Sequence, residues 1–359
     1  MEKYNSKKTE SQAMVKFAKS VVKPKTAKRV DECGAWLDFI ADKPMEKRKL
    51  FNANFCNWRF CPMCAWRKAI ADSLKLAICM EYIHKKQHKD FIFLTLTAPN
   101  VPAEKLRDEI TRQNYAFNKM FKRNEVKKMC HGFVRKTEIT YNPERDDYHP
   151  HLHVVVAVTK GYFSGGRYIK QASWLEMWRE VMRDNSITQV DVRKVKRRTD
   201  ADGVAESFEV AEFAKYAAKD SDYAKNQDVF ETFYNALKGR RQLTYGGLFK
   251  IANEMYKTGD LDDFIKPDLT EYYWRIAHKW SNSEYMQGDT YKLNGMDRRL
   301  MESYGIIVDS EIEKIVENPR GEKGVLGSDN QAVGRQVGSK QRQDKIPGKE
   351  ITQLTLDES

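Results

Sequence analysis

HPHLHVVVAV, residues 149–158, carries two signals at once. An unbroken β-branched run follows the histidines, and residues 151–157 read as a strand. Side chains two apart share one face of a strand, so His151 and His153 present their imidazoles side by side, a metal-binding geometry. Three of the chain's seven histidines fall within these five residues. An exposed strand whose histidines alternate by chance is the competing reading, and the neighbouring segments must choose between them.

Those segments supply the rest of a sheet. FIFLTLT, Phe91–Thr97, alternates apolar and small polar residues and stops at Pro99 and Asn100, as a central strand would. Leu106, Ile110, Phe117 and Phe121 mark a long helix. GFVRKTEITYN, Gly132–Asn142, reads as a second strand, and the turn after it, rich in Pro, Asp and Glu, returns the chain as an antiparallel hairpin. Glu138 can then reach the imidazole face. A helix bearing Trp174, Leu175 and Trp178 follows Gly165 and Gly166, and a strand spans Ile187–Val195. Strand, helix, strand, strand, helix, strand is the order of an α+β fold, the ferredoxin-like or split βαβ antiparallel sheet with helices on one face.

Residues 1–30 hold nine Lys and Arg against two Glu, which predicts a flexible basic arm. Residues 31–88 carry Cys33, Cys56, Cys61 and Cys64, the last three in FCNWRFCPMCAWRKA. Thiols so spaced can close a tetrahedral site around a structural Zn2+, with buried free thiols as the alternative. Pro62 suits a helix start, and Ile70, Leu74, Ala77 and Ile78 carry that helix to about Tyr82, with Cys79 on its packed side.

After the sheet, Arg193, Lys194, Lys196, Arg197 and Arg198 put five cations into six positions, a density suited to gripping phosphates. Residues 204–224, VAESFEVAEFAKYAAKDSDYA, lack Gly and Pro and read as a helix. Glu212 and Tyr216 are four apart and Lys219 three further, so the three side chains can meet. A tyrosine oxygen can attack a phosphodiester and hold it covalently, a lysine can neutralise or hold the phosphate, and a glutamate can act as general base. An amphipathic helix with ordinary surface charges is the alternative. Residues 226–317 read as a helical, basic and aromatic DNA-binding extension, with Phe233, Tyr234 and Leu237 in its core and Arg240 and Arg241 toward DNA. Residues 318–359 read as a disordered tail.

Lys and Arg number 63 against 51 Asp and Glu, a formal charge of +12, which favours a polyanionic partner, nucleic acid first. No stretch has the apolar length of a membrane span or the core of a signal peptide, which predicts a soluble intracellular protein with no membrane partner and reduced cysteines.

FIFLTLT, HPHLHVVV and EFAKYAAK, in that order and at that spacing, resemble the three motifs of HUH endonucleases, specifically rolling-circle plasmid replication initiators with a single catalytic tyrosine. The resemblance implies an endonuclease domain over residues 89–225 that nicks and rejoins one DNA strand through a covalent 5′-phosphotyrosine, leaving a 3′-hydroxyl primer. It implies His151 and His153 as ligands of a catalytic Mg2+ or Mn2+, with Glu138 preferred over His149 as the third. Tyr216 is then the nucleophile, Glu212 activates the water that ends the cycle, and Lys219 is the motif lysine. Tyr223, two turns past Tyr216, is secondary. The implied partners are plasmid double-strand origin DNA, single-stranded or as a hairpin, and a host helicase and polymerase in a bacterial cytoplasm. A non-enzymatic zinc-stabilised DNA-binding regulator and a mobilisation relaxase or transposase of the same superfamily are the competing readings.

Overall fold

A computed structural model describes residues 1–166, 168–199, 205–208, 223–265 and 268–303. They form two compact units, one of Met1–Ala65 with residues 268–303, the other of Trp66–Ile265.

The first unit opens with helices α1 (Glu2–Val21) and α2 (Pro24–Asp31), then strands β1 (Trp36–Ala41) and β2 (Arg48–Ala53). The sequence predicts a flexible arm here; the structure instead has two helices. Met14, Phe17 and Ala18 of α1 and Val30 of α2 are buried, and Lys8 Nζ donates to the Asp31 carbonyl at 2.7 Å. A charge count over thirty residues hides the helical spacing of positions 14, 17 and 18, which supply the buried stripe.

Helix α3 (Pro62–Gln87) leads into the second unit, five residues longer than its apolar repeat predicts and ended by His88 at φ 51°. There follow β3 (Lys89–Leu96), α4 (Leu106–Phe121), α5 (Asn124–Lys127), β4 (Cys130–Asn142), β5 (Asp147–Thr159), α6 (Gln171–Met182) and β6 (Val190–Lys194). Then come β7 (Arg197–Thr199), β8 (Ala205–Phe208), α7 (Gln227–Leu237), β9 (Leu243–Gly247) and α8 (Leu248–Thr258). One antiparallel sheet has the order β6-β3-β5-β4-β9. Alternation along its strands divides the core. Leu152, Val154, Val156 and Val158 pack with Phe117 and Phe121 of α4 and Trp174 and Trp178 of α6. Val155 and Ala157 face Leu76, Cys79 and Ile83 of α3 and Phe249 and Ala252 of α8. Helices therefore cover both faces, whereas the sequence predicts them on one; a strand apolar at every position from 154 to 158 requires both to be buried.

Two further expectations are corrected. Residues 205–208, predicted as the start of the tyrosine helix, form β8 and pair with β7, Arg197 opposite Phe208. Residues 226–317 are not wholly helical: β9 lies within them, as do β10 (Trp274–Ser281) and β11 (Glu284–Lys292), ahead of α9 (Gly295–Ser303). These last elements belong to the first unit, whose sheet has the order β11-β10-β1-β2. Asn282 and Ser283, both at positive φ, make the tight turn of the β10–β11 hairpin. Strand β9 reaches β4 because Gly132 and Gly246 lack side chains: a Cβ on Gly132 would stand 2.6 Å from the Leu248 nitrogen. The tail expected over residues 318–359 lies outside the described residues.

Candidate metal centre

The turn between β4 and β5 sets the site. Asn142 Oδ1 accepts from the Glu144 and Arg145 nitrogens at 2.9 and 3.1 Å, and Asp146 takes a left-handed φ of 48°. This turn fixes a register in which Glu138 lies opposite His151, and Lys136 opposite His153. On the other side of β5, Thr95 of β3 lies opposite His153. Alternation puts Thr95, His151, His153, Lys136 and Glu138 on one face.

Glu138 Oε2 lies 3.1 Å from His151 Nε2 and 2.6 Å from His153 Nε2, all three residues buried. The second nitrogens have partners too: His151 Nδ1 is 3.2 Å from the His149 carbonyl oxygen, and His153 Nδ1 is 3.2 Å from Thr95 Oγ1. A carbonyl oxygen can only accept, so His151 carries a proton on Nδ1, and the neutral ring turns an Nε2 lone pair toward a carboxylate. Two acceptors at this distance call for a positive charge between them, a second ring proton or a metal ion. A backbone carbonyl orienting the distal nitrogen is the support usual for a metal-ligating histidine, and two nitrogens with one oxygen suit a divalent ion that keeps open positions. Burial would raise the Glu138 carboxyl, but the imidazoles of His151 and His153 against it outweigh that and hold it below the ordinary carboxylate value. Burial lowers His153 in spite of Glu138, a shift in the direction of the neutral ring that a metal ligand needs.

His149 also lies within β5, Pro150 notwithstanding, and its ring stacks on that of His151 with centroids 5.0 Å apart. Glu138, His151 and His153 bring one ligand atom each within 4.8 Å of one another; His149 is not in that group. Thr95 and Lys136 have no place in the sequence reading. The signal for Lys136 is its spacing of two from Glu138; burial pushes its ammonium down to about 8.

A second group lies in the first unit. The sulfurs of Cys33, Cys56, Cys61 and Cys64, all buried, also lie within 4.8 Å of one another. Cys33 and Cys64 are 3.5 Å apart, Cys56 and Cys64 3.6 Å. Main-chain nitrogens of Cys56 and Asn57 donate to Cys33 and Cys64 sulfurs at 3.4 and 3.2 Å, and Ser11 Oγ is 3.3 Å from Cys61 Sγ. Mutual contacts split the thiols, lifting Cys33 and holding Cys61 low, the latter chiefly through Cys33. This arrangement could hold a metal ion with no position left open.

The profile of the Replication protein family matches residues 47–287. The chain belongs to that family. It is 48% identical over 228 residues to a Protein rep of Staphylococcus aureus, covering 63% of this chain and 96% of that one. A Protein rep of Bacillus amyloliquefaciens is 36% identical over 67% of this chain and 77% of its own; one of Streptococcus pneumoniae is 38% identical over 66% and 73%. No solved structure matches.

In this replication protein the other expected site residues fall in varied places. Glu212, Tyr216 and Lys219 lie outside the described residues. Tyr223 is buried against Phe230 and Phe233. Of the cation run, Arg193 stands over the Phe93 ring, itself 5.5 Å from the His153 ring, and so flanks the metal centre. Lys194 lies over Phe163 and Lys196 is exposed. Arg197 is held inward by Glu81 at 2.8 Å and stands over Phe208; the Arg198 side chain lies outside the described residues. Arg240 donates to the Arg107 carbonyl and to Thr111 Oγ1, whereas Arg241 is exposed. No described helix is long and apolar enough to cross a membrane.

Proposed function

We propose that the chain initiates rolling-circle replication of a plasmid by nicking and rejoining origin DNA as an HUH endonuclease, with Tyr216 as the nucleophile. The observation that carries this reading is the convergence of Glu138, His151 and His153 on one sheet face. Support comes also from membership of the Replication protein family and from the antiparallel order β6-β3-β5-β4, which is that of a ferredoxin-like fold.

Glu138, His151 and His153 would hold a divalent ion, Mg2+ or Mn2+, which would supply Lewis-acid neutralisation at the scissile phosphate. Tyr216 Oη gives up its proton and attacks phosphorus, the P–O3′ bond breaks, and the leaving oxygen takes up a proton to become the 3′-hydroxyl primer while the 5′-phosphate stays on the tyrosine. Lys219 and Arg193 hold phosphate oxygens, and Glu212 takes the proton of the water that ends the cycle. Cys33, Cys56, Cys61 and Cys64 would hold Zn2+ in a structural role. Origin DNA, single-stranded or as a hairpin, is the substrate, and a host helicase and polymerase extend the primer.

Incubation with a single-stranded origin oligonucleotide and Mn2+ tests the reading. A protein–DNA adduct that survives denaturation is expected from the wild type and not from Tyr216→Phe; equal behaviour of the two would remove the nickase assignment.

A further inference from the structure

The face that carries Glu138 and His151 continues toward the β4–β5 turn. Thr140 lies opposite His149 in the next same-face pair, and Asn142 opposite Asp147 beyond it. These rows open into a groove of about 420 Å³ lined by Asn100, Thr140, Asn142, Arg145 and His149 among others. We propose that this groove is a nucleobase subsite that reads one base of single-stranded DNA beside the metal centre. It rests on the proposed function for what lies on this face.

The lining decides the ligand class. Glu144 and Arg145 offset one another, and Arg145 Nε donates to Asp147 at 2.9 Å. The groove thus has no surplus of cations with which to grip a phosphate, in contrast to Arg193 on the opposite flank of the site. It offers amides and a hydroxyl in a volume within the range of small-ligand sites. Asn100 donates Nδ2 to Asp147 Oδ1 at 2.7 Å, which presents its carbonyl oxygen to a ligand; Asn142 accepts turn nitrogens with its oxygen, which leaves its amide donors. A donor and an acceptor held in place match the edge of a base, and unstacked bases of single strands are read by such edges. The half-buried His149 ring, stacked on His151, closes the groove toward the metal centre. His149 so becomes the link between the two sites.

The test is a binding selection. The full chain is incubated with a random single-stranded oligonucleotide library, retained DNA is sequenced, and the same is done with Asn100→Ala and Arg145→Ala, both exposed positions whose truncation leaves the core intact. The wild type should enrich a preferred base at a defined position, and Asn100→Ala should weaken preference there by roughly five-fold or more while other positions keep theirs. A wild type without base preference, or variants that enrich the same sequence with the same strength, would overturn the subsite. Adduct formation, read separately with Mn2+, reports on the proposed function; the selection needs no nicking, so a failure of the subsite is told apart from a failure of the nickase reading.

Discussion

Glu138 puts one carboxylate oxygen between two imidazole nitrogens, and Thr95 and the His149 carbonyl hold the far side of each ring. Thr95→Val should remove the support of His153 and weaken Mn2+ binding roughly 10- to 100-fold by calorimetric titration; unchanged affinity would show that Thr95 does not orient the ligand. Lys136 allows a prediction of sign. Its folded pKa of about 8 lies below the ordinary 10.5, so between these values the unfolded chain holds the extra proton and stability rises with pH. Lys136→Met should therefore be the more stable protein at neutral pH, and its advantage in urea should shrink as pH rises from about 8 toward 10.5. A constant difference would mean that Lys136 is not strained by burial. Glu138 and the two histidines are legible in the sequence because each shows as alternation within one strand and its hairpin. Thr95 is not, because nothing local to FIFLTLT says which strand lies beside it.

The elements that position these residues are legible where the apolar period is strong. Trp174 and Trp178 give α6 its packed side, and both are fully buried. Trp178 also donates from its indole to the Thr97 carbonyl at 2.7 Å, which ties α6 to the end of β3. Trp178→Ala should cost about 3–5 kcal/mol, read as a lower urea midpoint; a loss under about 1 kcal/mol would place this packing outside the cooperative core. Strands β9 and β10 escape the reading because their aromatic and basic residues fit a helix as well as a strand, and β4 and β1, on which they pair, are more than a hundred residues away; β11 follows β10 as its hairpin partner. For β8 the reading fails for a related reason. Ala and Glu favour a helix locally, yet Phe208 is held in a strand by contacts with Phe91 and Arg197.

At the scale of the whole molecule, a buried lysine fits the metal reading of the four cysteines. Four thiolates around a divalent ion carry two excess negative charges, and Lys8, 1% exposed, lies close enough to interact with three of those sulfurs. Cys61→Ser should lower bound zinc per chain and the stability of the first unit together; an unchanged zinc ratio would rule out the thiolate site. The formal charge of +12 leads to a further expectation, that affinity for single-stranded DNA falls linearly in a double-logarithmic plot against salt. Neither result reaches the chemistry. The mass of the peptide that retains DNA after nicking does so most directly: the expected species is one oligonucleotide joined through its 5′-phosphate to the peptide containing Tyr216, formed only with a divalent ion and lost in His153→Ala. An adduct on another peptide, or one that forms undiminished without Glu138 and His153, would contradict it.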